Sequence, residues 1–417
     1  MTHFIVTSNG SFGDVYPFVG LAHALARRGH DVSLVSNARY ADLAGALEFV
    51  AGSSAEALAA VIAQFGVSMK PSDLGPLMHG LLAEPLVGFR DAILSVHRPG
   101  ESVIVGFPLV TAARLLHDAH RIPYVGCHLT PGGFRSTHEP PRVSTGPPLT
   151  FLPRFAIGWM YAALGRLIDR SVRDDVNAVR TDMGLEPIRD VFSWMDSPQR
   201  MLGLFPEWFG PRQPDWGDHR STTAFPLWDA GVAQPLSQEL RSFLAAGDPP
   251  VAFTAGSPAE GVGSFHAAAA AACATLGVRG ILLSRYPGDI PPTLPDGVVH
   301  APYAPFSALL PRLAAFVHHG GIGTCAQALA AGVPQLIVPW GMDQFDNSWR
   351  LQQHGVAREL GFAKVTADRL SASLGALLAD PAVPPACAAA AARFEGIDPF
   401  AAACAQLEAF APERADR

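Results

Sequence analysis

The tightest constraint on what this chain can fold into sits in eight residues, Val317-His318-His319-Gly320-Gly321-Ile322-Gly323-Thr324, where an apolar strand pattern runs into glycines and then into a helix start. Glycines at such a turn let a ligand approach the backbone closely, and the first turn of the helix aims unpaired N–H groups and the positive end of its dipole at that ligand. The segment reads as an anion site whose natural guest is a diphosphate. The competing reading, glycines that only pack helix against strand, leaves two adjacent histidines without a purpose. Consecutive strand residues point to opposite faces, so His318 and His319 are poorly placed to share a metal.

A strand-turn-helix of this kind belongs to a parallel sheet, and the rest of the chain supplies one twice. His3 to Ser8, Val15 to Arg28 and Asp31 to Ser36 read as strand, helix and strand, and the alternation continues through Ser102 to Gly106, Val110 to His120 and Pro123 to Cys127. It restarts at Val251 to Thr254 and passes through Gly280 to Ser284, Val298 to Ala301, Ala314 to His318 and Gln335 to Pro339. A length of 417 residues accommodates two such cores. The sequence therefore predicts an α/β protein of two Rossmann-like, doubly wound parallel-sheet domains, 1–223 and 224–395, with a terminal helix in 396–417 packing back on the first. Each half opens on a Gly-Ser turn, Gly10-Ser11 and Gly256-Ser257. Between Pro131 and Pro153, six prolines and three glycines mark a long loop after a strand end.

Composition narrows the chemistry. The net charge is -7 and only two lysines occur, Lys70 and Lys364, which argues against a nucleic-acid partner, a Walker-type phosphate lysine and a Schiff-base lysine. The five cysteines are odd in number and lack a C-x-x-C pair, which fits neither a disulfide framework nor a structural zinc site. No basic leader opens the sequence, and no apolar run approaches the ~18 residues of a spanning helix. The expectation is a cytoplasmic protein, at most peripheral to the inner membrane face.

Two further segments carry chemistry. Trp340-Gly341-Met342-Asp343-Gln344-Phe345-Asp346-Asn347 follows a strand end, where carboxylate and amide groups suit sugar hydroxyls; alternatively Asp343 caps the next helix. At the first strand end, Gly10-Ser11-Phe12-Gly13-Asp14 lacks the G-x-G-x-x-G spacing of a dinucleotide site. Asp14 there is either a helix N-cap or a general base facing an interdomain cleft.

In their order and spacing, GSFGDVYPF, FTAGSP, YAPFSALLP, HHGGIGT, AGVPQLIVPW and MDQFDN resemble the family 1 glycosyltransferases of the GT-B fold over essentially the whole chain. Within that family, the segment 194–216 is similar to the rhamnosyltransferases of rhamnolipid biosynthesis. The resemblance implies a donor site in which His319, Gly321, Gly323 and Thr324 hold the diphosphate beside Ser257. Tyr303 would stack on the nucleobase while the Ala304 backbone reads its edge, and Asp343 and Gln344 would bind the sugar. Gln327 stands where plant-type UDP-sugar enzymes grip both ribose hydroxyls with Glu, a difference compatible with a dTDP donor.

The implied reaction is an inverting transfer with Asp14 as base, requiring no cofactor beyond the nucleotide-sugar co-substrate and no metal. Rhamnose from dTDP-L-rhamnose would pass to a hydroxylated lipid such as 3-(3-hydroxyalkanoyloxy)alkanoate, lodged against Ser11, Phe12, Met78, Leu82 and Trp159. A complex with the enzyme that makes the acceptor is a further implied partnership. Another dTDP- or UDP-sugar on a different apolar acceptor, a GT-B-fold sugar-nucleotide epimerase, and a non-catalytic sugar-nucleotide-binding module remain the alternatives.

Overall fold

The computed structural model describes residues 2–65, 71–228, 235–256 and 261–411; Ser257 lies outside them. Among these residues the first half of the chain builds one parallel sheet from β1 (His3–Thr7), β2 (Asp31–Asn37), β3 (Glu48–Ser53), β4 (Ser102–Gly106), β5 (Tyr124–His128), β6 (Arg200–Gly203) and β7 (Arg220–Thr222), in the order β3-β2-β1-β4-β5-β6-β7. The second half builds another from β8 (Val251–Thr254), β9 (Gly280–Leu283), β10 (Val298–Ala301), β11 (Ala315–His318), β12 (Gln335–Ile337) and β13 (Ala357–Glu359), in the order β10-β9-β8-β11-β12-β13. Every paired neighbour is parallel.

The central strands HFIVT, SVIVG and YVGCH are buried along their whole length, as expected where helices cover both faces of a parallel sheet. Alternation along β1 sends Phe4 and Val6 into one apolar layer and Ile5 into the other. The edge strands β3, β7 and β13 are half-exposed and only three to six residues long, and the sequence pattern does not announce them.

In each sheet the strand order reverses beside the first strand, between β1 and β4 and between β8 and β11. Ligands of open α/β sheets bind at the carboxyl ends of strands at such reversals. Two strand-end turns emerge there, one leading into the helix Phe12–Arg27 and the other into the helix Ile322–Ala330.

The proline-rich loop after β5 is fastened to the second half. Arg142 pairs with both oxygens of Glu359 at 2.8 and 2.7 Å, and its backbone N–H donates to Asp346 at 3.0 Å. Arg350 holds Asp346 at 2.8 Å and Glu139 of the same loop at 2.8 Å. The last described helix, Ala401–Phe410, returns to the first half, where Glu408 meets Arg28 at 2.7 Å and His30 at 3.1 Å.

Candidate functional site

After β11, Gly320 adopts φ +94, and a Cβ there would lie 2.7 Å from Ile337 Cγ2, so only glycine makes this turn. His318 is fully buried; the Gly320 N–H donates to its Nδ1 at 3.2 Å, which leaves Nε2–H to donate to Gln335 at 3.0 Å. Burial, with the neighbouring His319 adding to it, pushes the His318 imidazole down to about 3. His318 is therefore a neutral fastener of the turn. His319 points the other way. Its ring lies so close to Gly256 and Gly321 that a Cβ on either would come within 2.9 and 2.5 Å of it, and burial pushes it down to about 4. The space beside Gly323 is open, as a ligand approaching the first turn of the helix requires, and Thr324 and Gln327 share a half-buried face of that helix one turn apart.

Asp343 does not cap the following helix with its side chain. Its carboxylate instead accepts from Asn347 Nδ2 at 2.8 Å, and the same amide donates to the Gly320 carbonyl at 2.9 Å, which ties this carboxylate to the glycine turn. Burial raises the Asp343 carboxyl to about 6, opposed by the Asn347 bond and reinforced by the charge of Asp14 across the cleft. Gln344 is partly committed: its Oε1 accepts from the N–H groups of Trp340 and Gly341 at 2.9 and 3.2 Å, leaving its amide NH2 for a ligand.

On the facing turn, Ser11 is the N-cap and Asp14 the third residue of the helix, so Asp14 is not itself the cap. The Ser11 N–H and hydroxyl both donate to Asp14 Oδ2 at 2.8 Å. Gly10, at φ +129, makes room for this, since a Cβ there would sit 2.6 Å from that oxygen. Burial pushes the half-buried Asp14 carboxyl upward while the two Ser11 bonds pull it down, and burial prevails.

Phe12 stands between two guanidiniums, Arg39 at 4.9 Å from its ring and Arg285 at 4.6 Å. Arg285 also lies over Tyr303, at 5.5 Å, so one cation joins a ring of each half at the cleft, with Ala304 buried behind Tyr303. Arg39, Arg285 and Asn347 escape sequence reasoning because their partners are distant in the chain; the only signal is position just past an apolar strand end or one turn from Asp343.

The structure thus gathers Ser11, Phe12, Asp14, Tyr303, Ala304, His319, Gly321, Gly323, Thr324, Gln327, Asp343 and Gln344 around the two turns. Two expected acceptor contacts require correction. Met78 and Leu82 are 6% and 1% exposed in the apolar layer shared with Ile5 and Val35, where their helix spends its apolar face on the core. Trp159, the other expected acceptor contact outside the two turns, is by contrast 70% exposed on the helix Arg154–Asp182. The 194–216 segment is also largely interior: Trp194, Phe205, Phe209 and Trp216 are buried, the last edge-on to Phe134 at 4.7 Å. Its side chains report on packing rather than on a substrate.

Residues 287–399 match the erythromycin biosynthesis protein CIII-like, C-terminal domain family. The chain is 31% identical to the O-mycaminosyltylonolide 6-deoxyallosyltransferase of Streptomyces fradiae, over 90% of this chain and 89% of that one. Among solved structures it resembles the glycotransferase of kitacinnamycin, with a TM-score of 0.74, 22% identity and 99% of both chains covered. It also resembles the spinosyn rhamnosyltransferase SpnG complexed with thymidine diphosphate, with a TM-score of 0.67, 18% identity, and 98% of this chain and 100% of that one covered.

Proposed function

Because the chain belongs to the family 1 glycosyltransferases of the GT-B type, we propose that it transfers a 6-deoxyhexose, L-rhamnose first among them, from a dTDP-sugar to the hydroxyl of an apolar acceptor. The observation that carries this reading is the opposition of Asp14 on one half to Asp343 and the glycine turn on the other, set by direct contact between the helices Phe12–Arg27 and Ile322–Ala330 that the two turns open. In the proposed step the acceptor oxygen attacks the anomeric carbon as its proton passes to Asp14, whose Oδ2 is already engaged by Ser11. The bond from that carbon to the diphosphate oxygen breaks with inversion. The backbone N–H groups of the Ile322–Ala330 helix start and His319 receive the departing charge.

Gln327 in place of a ribose-gripping Glu supports dTDP over UDP, by about 0.5 to 1.5 kcal/mol for one neutral hydrogen bond. For the acceptor, a lipid such as 3-(3-hydroxyalkanoyloxy)alkanoate comes first; the name of the Streptomyces relative favours a macrolide-type aglycone as the second reading. Incubation with dTDP-L-rhamnose and each acceptor class, followed by mass spectrometry, tests both. A product heavier by one deoxyhexose supports transfer, whereas a changed sugar nucleotide without acceptor overturns it in favour of an epimerase.

A further inference from the structure

Among the described residues ten large apolar side chains are exposed, and five of them fall between positions 143 and 167: Val143, Phe151, Phe155, Trp159 and Leu167. Phe151, Phe155 and Trp159 are 69%, 62% and 70% exposed, which no packing against the protein explains. Phe155 and Trp159 lie one turn apart with ring centroids at 5.2 Å, and the helical period continues their face through Ala162, Ala163, Arg166 and Arg170. The opposite face of the same helix buries Ile157, Gly165, Ile168, Val172 and Val176. Exposed aromatics gathered at one helix end mark a contact surface rather than scattered surface apolarity.

Charge identifies what that surface meets. The chain as a whole is net acidic at -7, yet from position 140 to 168 it contains no Asp or Glu. Exposed Arg154, Arg166 and Arg170 flank the aromatic face. Of the nearest acids, Glu139 is held by Arg350 and buried Asp169 by the Val191 N–H at 2.9 Å, while exposed Asp174 pairs with Arg173 at 3.6 Å and exposed Asp190 accepts from the Ser193 N–H at 2.8 Å, both beyond the aromatic end of the helix. Exposed aromatic rings at a helix end flanked by Arg154 and Arg166 have the composition of an element that lies in the headgroup plane of an anionic bilayer. A second copy of the chain is a poorer occupant, since a two-fold contact apposes the same cationic patch to itself. No single described helix is long and apolar enough to cross a membrane, so the arrangement is one that lies on the bilayer.

We propose that the start of the Arg154–Asp182 helix, with Phe151, Phe155 and Trp159 inserted and Arg154, Arg166 and Arg170 on the phosphates, docks the protein on an anionic membrane surface. The inference is independent of which sugar is transferred. Cosedimentation with vesicles of phosphatidylcholine containing phosphatidylglycerol, against vesicles of phosphatidylcholine alone, tests it. The expected result is binding to the anionic vesicles that weakens with added salt, and at least a tenfold loss in Phe155→Ser and in Arg166→Glu. Turnover of a water-soluble acceptor by those variants should stay at the parent level, which shows that they fold. Equal binding to both vesicle types, or none to either, overturns the proposal. So does a concentration-dependent dimer of the parent chain that Phe155→Ser abolishes.

Discussion

The two turns that face each other across the cleft use one backbone device for opposite chemistry. After β1, Gly10 at positive φ gives Asp14 room to fold back on Ser11; after β11, Gly320 at positive φ brings the strand end against Ile337 and the Gln344 backbone. The same burial moves the two titratable groups in opposite directions, the Asp14 carboxyl up and the His319 imidazole down to about 4. Both shifts favour the neutral form, as desolvation must. A single weakly polar cleft therefore strengthens a base on one wall and keeps the imidazole uncharged on the other, leaving attraction for an anion to backbone N–H groups and the one N–H of a neutral imidazole.

The sharpest way to break this comparison is Asp14→Asn. Asparagine still accepts from Ser11, so the melting temperature and the affinity for a nucleoside diphosphate should hold while turnover falls ~10² to 10⁴-fold. In the parent, the rate should decline as pH drops through a value above the usual carboxylate range, since protonation removes the base. An active Asn variant, or one with the parental pH profile, places the base elsewhere.

Next in size is Arg142→Gln, which leaves Glu359 buried without its cation. Calorimetric or denaturant measurements should find a loss of about 3 to 5 kcal/mol, because an unpaired buried charge is costly. A loss below 1 kcal/mol would show that the two halves are aligned by other contacts.

The two adjacent histidines should separate cleanly. His318→Ala strands Gln335 and the Gly320 N–H and should cost about 1 to 3 kcal/mol of stability, whereas His319→Ala should spare stability and weaken donor binding and turnover together. The folded His318 protonates near 3 and an unfolded histidine near ~6.5, so its contribution is present above ~6.5 and is lost as pH falls toward 3. Equal stability losses in the two variants would contradict the assigned orientations.

The smallest effect belongs to Asp343→Asn. The folded carboxyl titrates near 6 against ~3.9 unfolded, so its stabilising contribution is full below ~3.9 and disappears as pH rises through 6. Above pH 6 the ligand-free Asn variant should melt slightly higher than the parent, although its turnover drops.

How far the site could be read from sequence follows the same division. Glycine turns and helix starts carry their chemistry in a few consecutive residues, so His319, Gly321, Gly323, Thr324 and Asp343 could be singled out without tertiary information, as could the alternation that builds both sheets. Met78, Leu82 and Trp159 could not be sorted, because apolarity alone reads the same in a core, a pocket or an exposed helix face. Arg285 matters only through Phe12 and Tyr303, whose positions no local pattern links to it. Short, half-exposed β3, β7 and β13 follow from pairing with the sheet rather than from their own residues.

The fastening of the proline-rich loop decides how the two walls can part. Glu359 ends the edge strand β13, while Arg285 follows β9, four strand spacings or roughly 19 Å away across the same sheet. At the β13 side the halves are riveted by bidentate and buried ion pairs; at the β9 side a single exposed guanidinium leans on two rings. A body fixed at one margin and loosely latched at the other swings rather than separates. The riveted margin is the fulcrum, and the lightly held margin lies beside Arg285 and Tyr303, so any parting of the two walls is widest there.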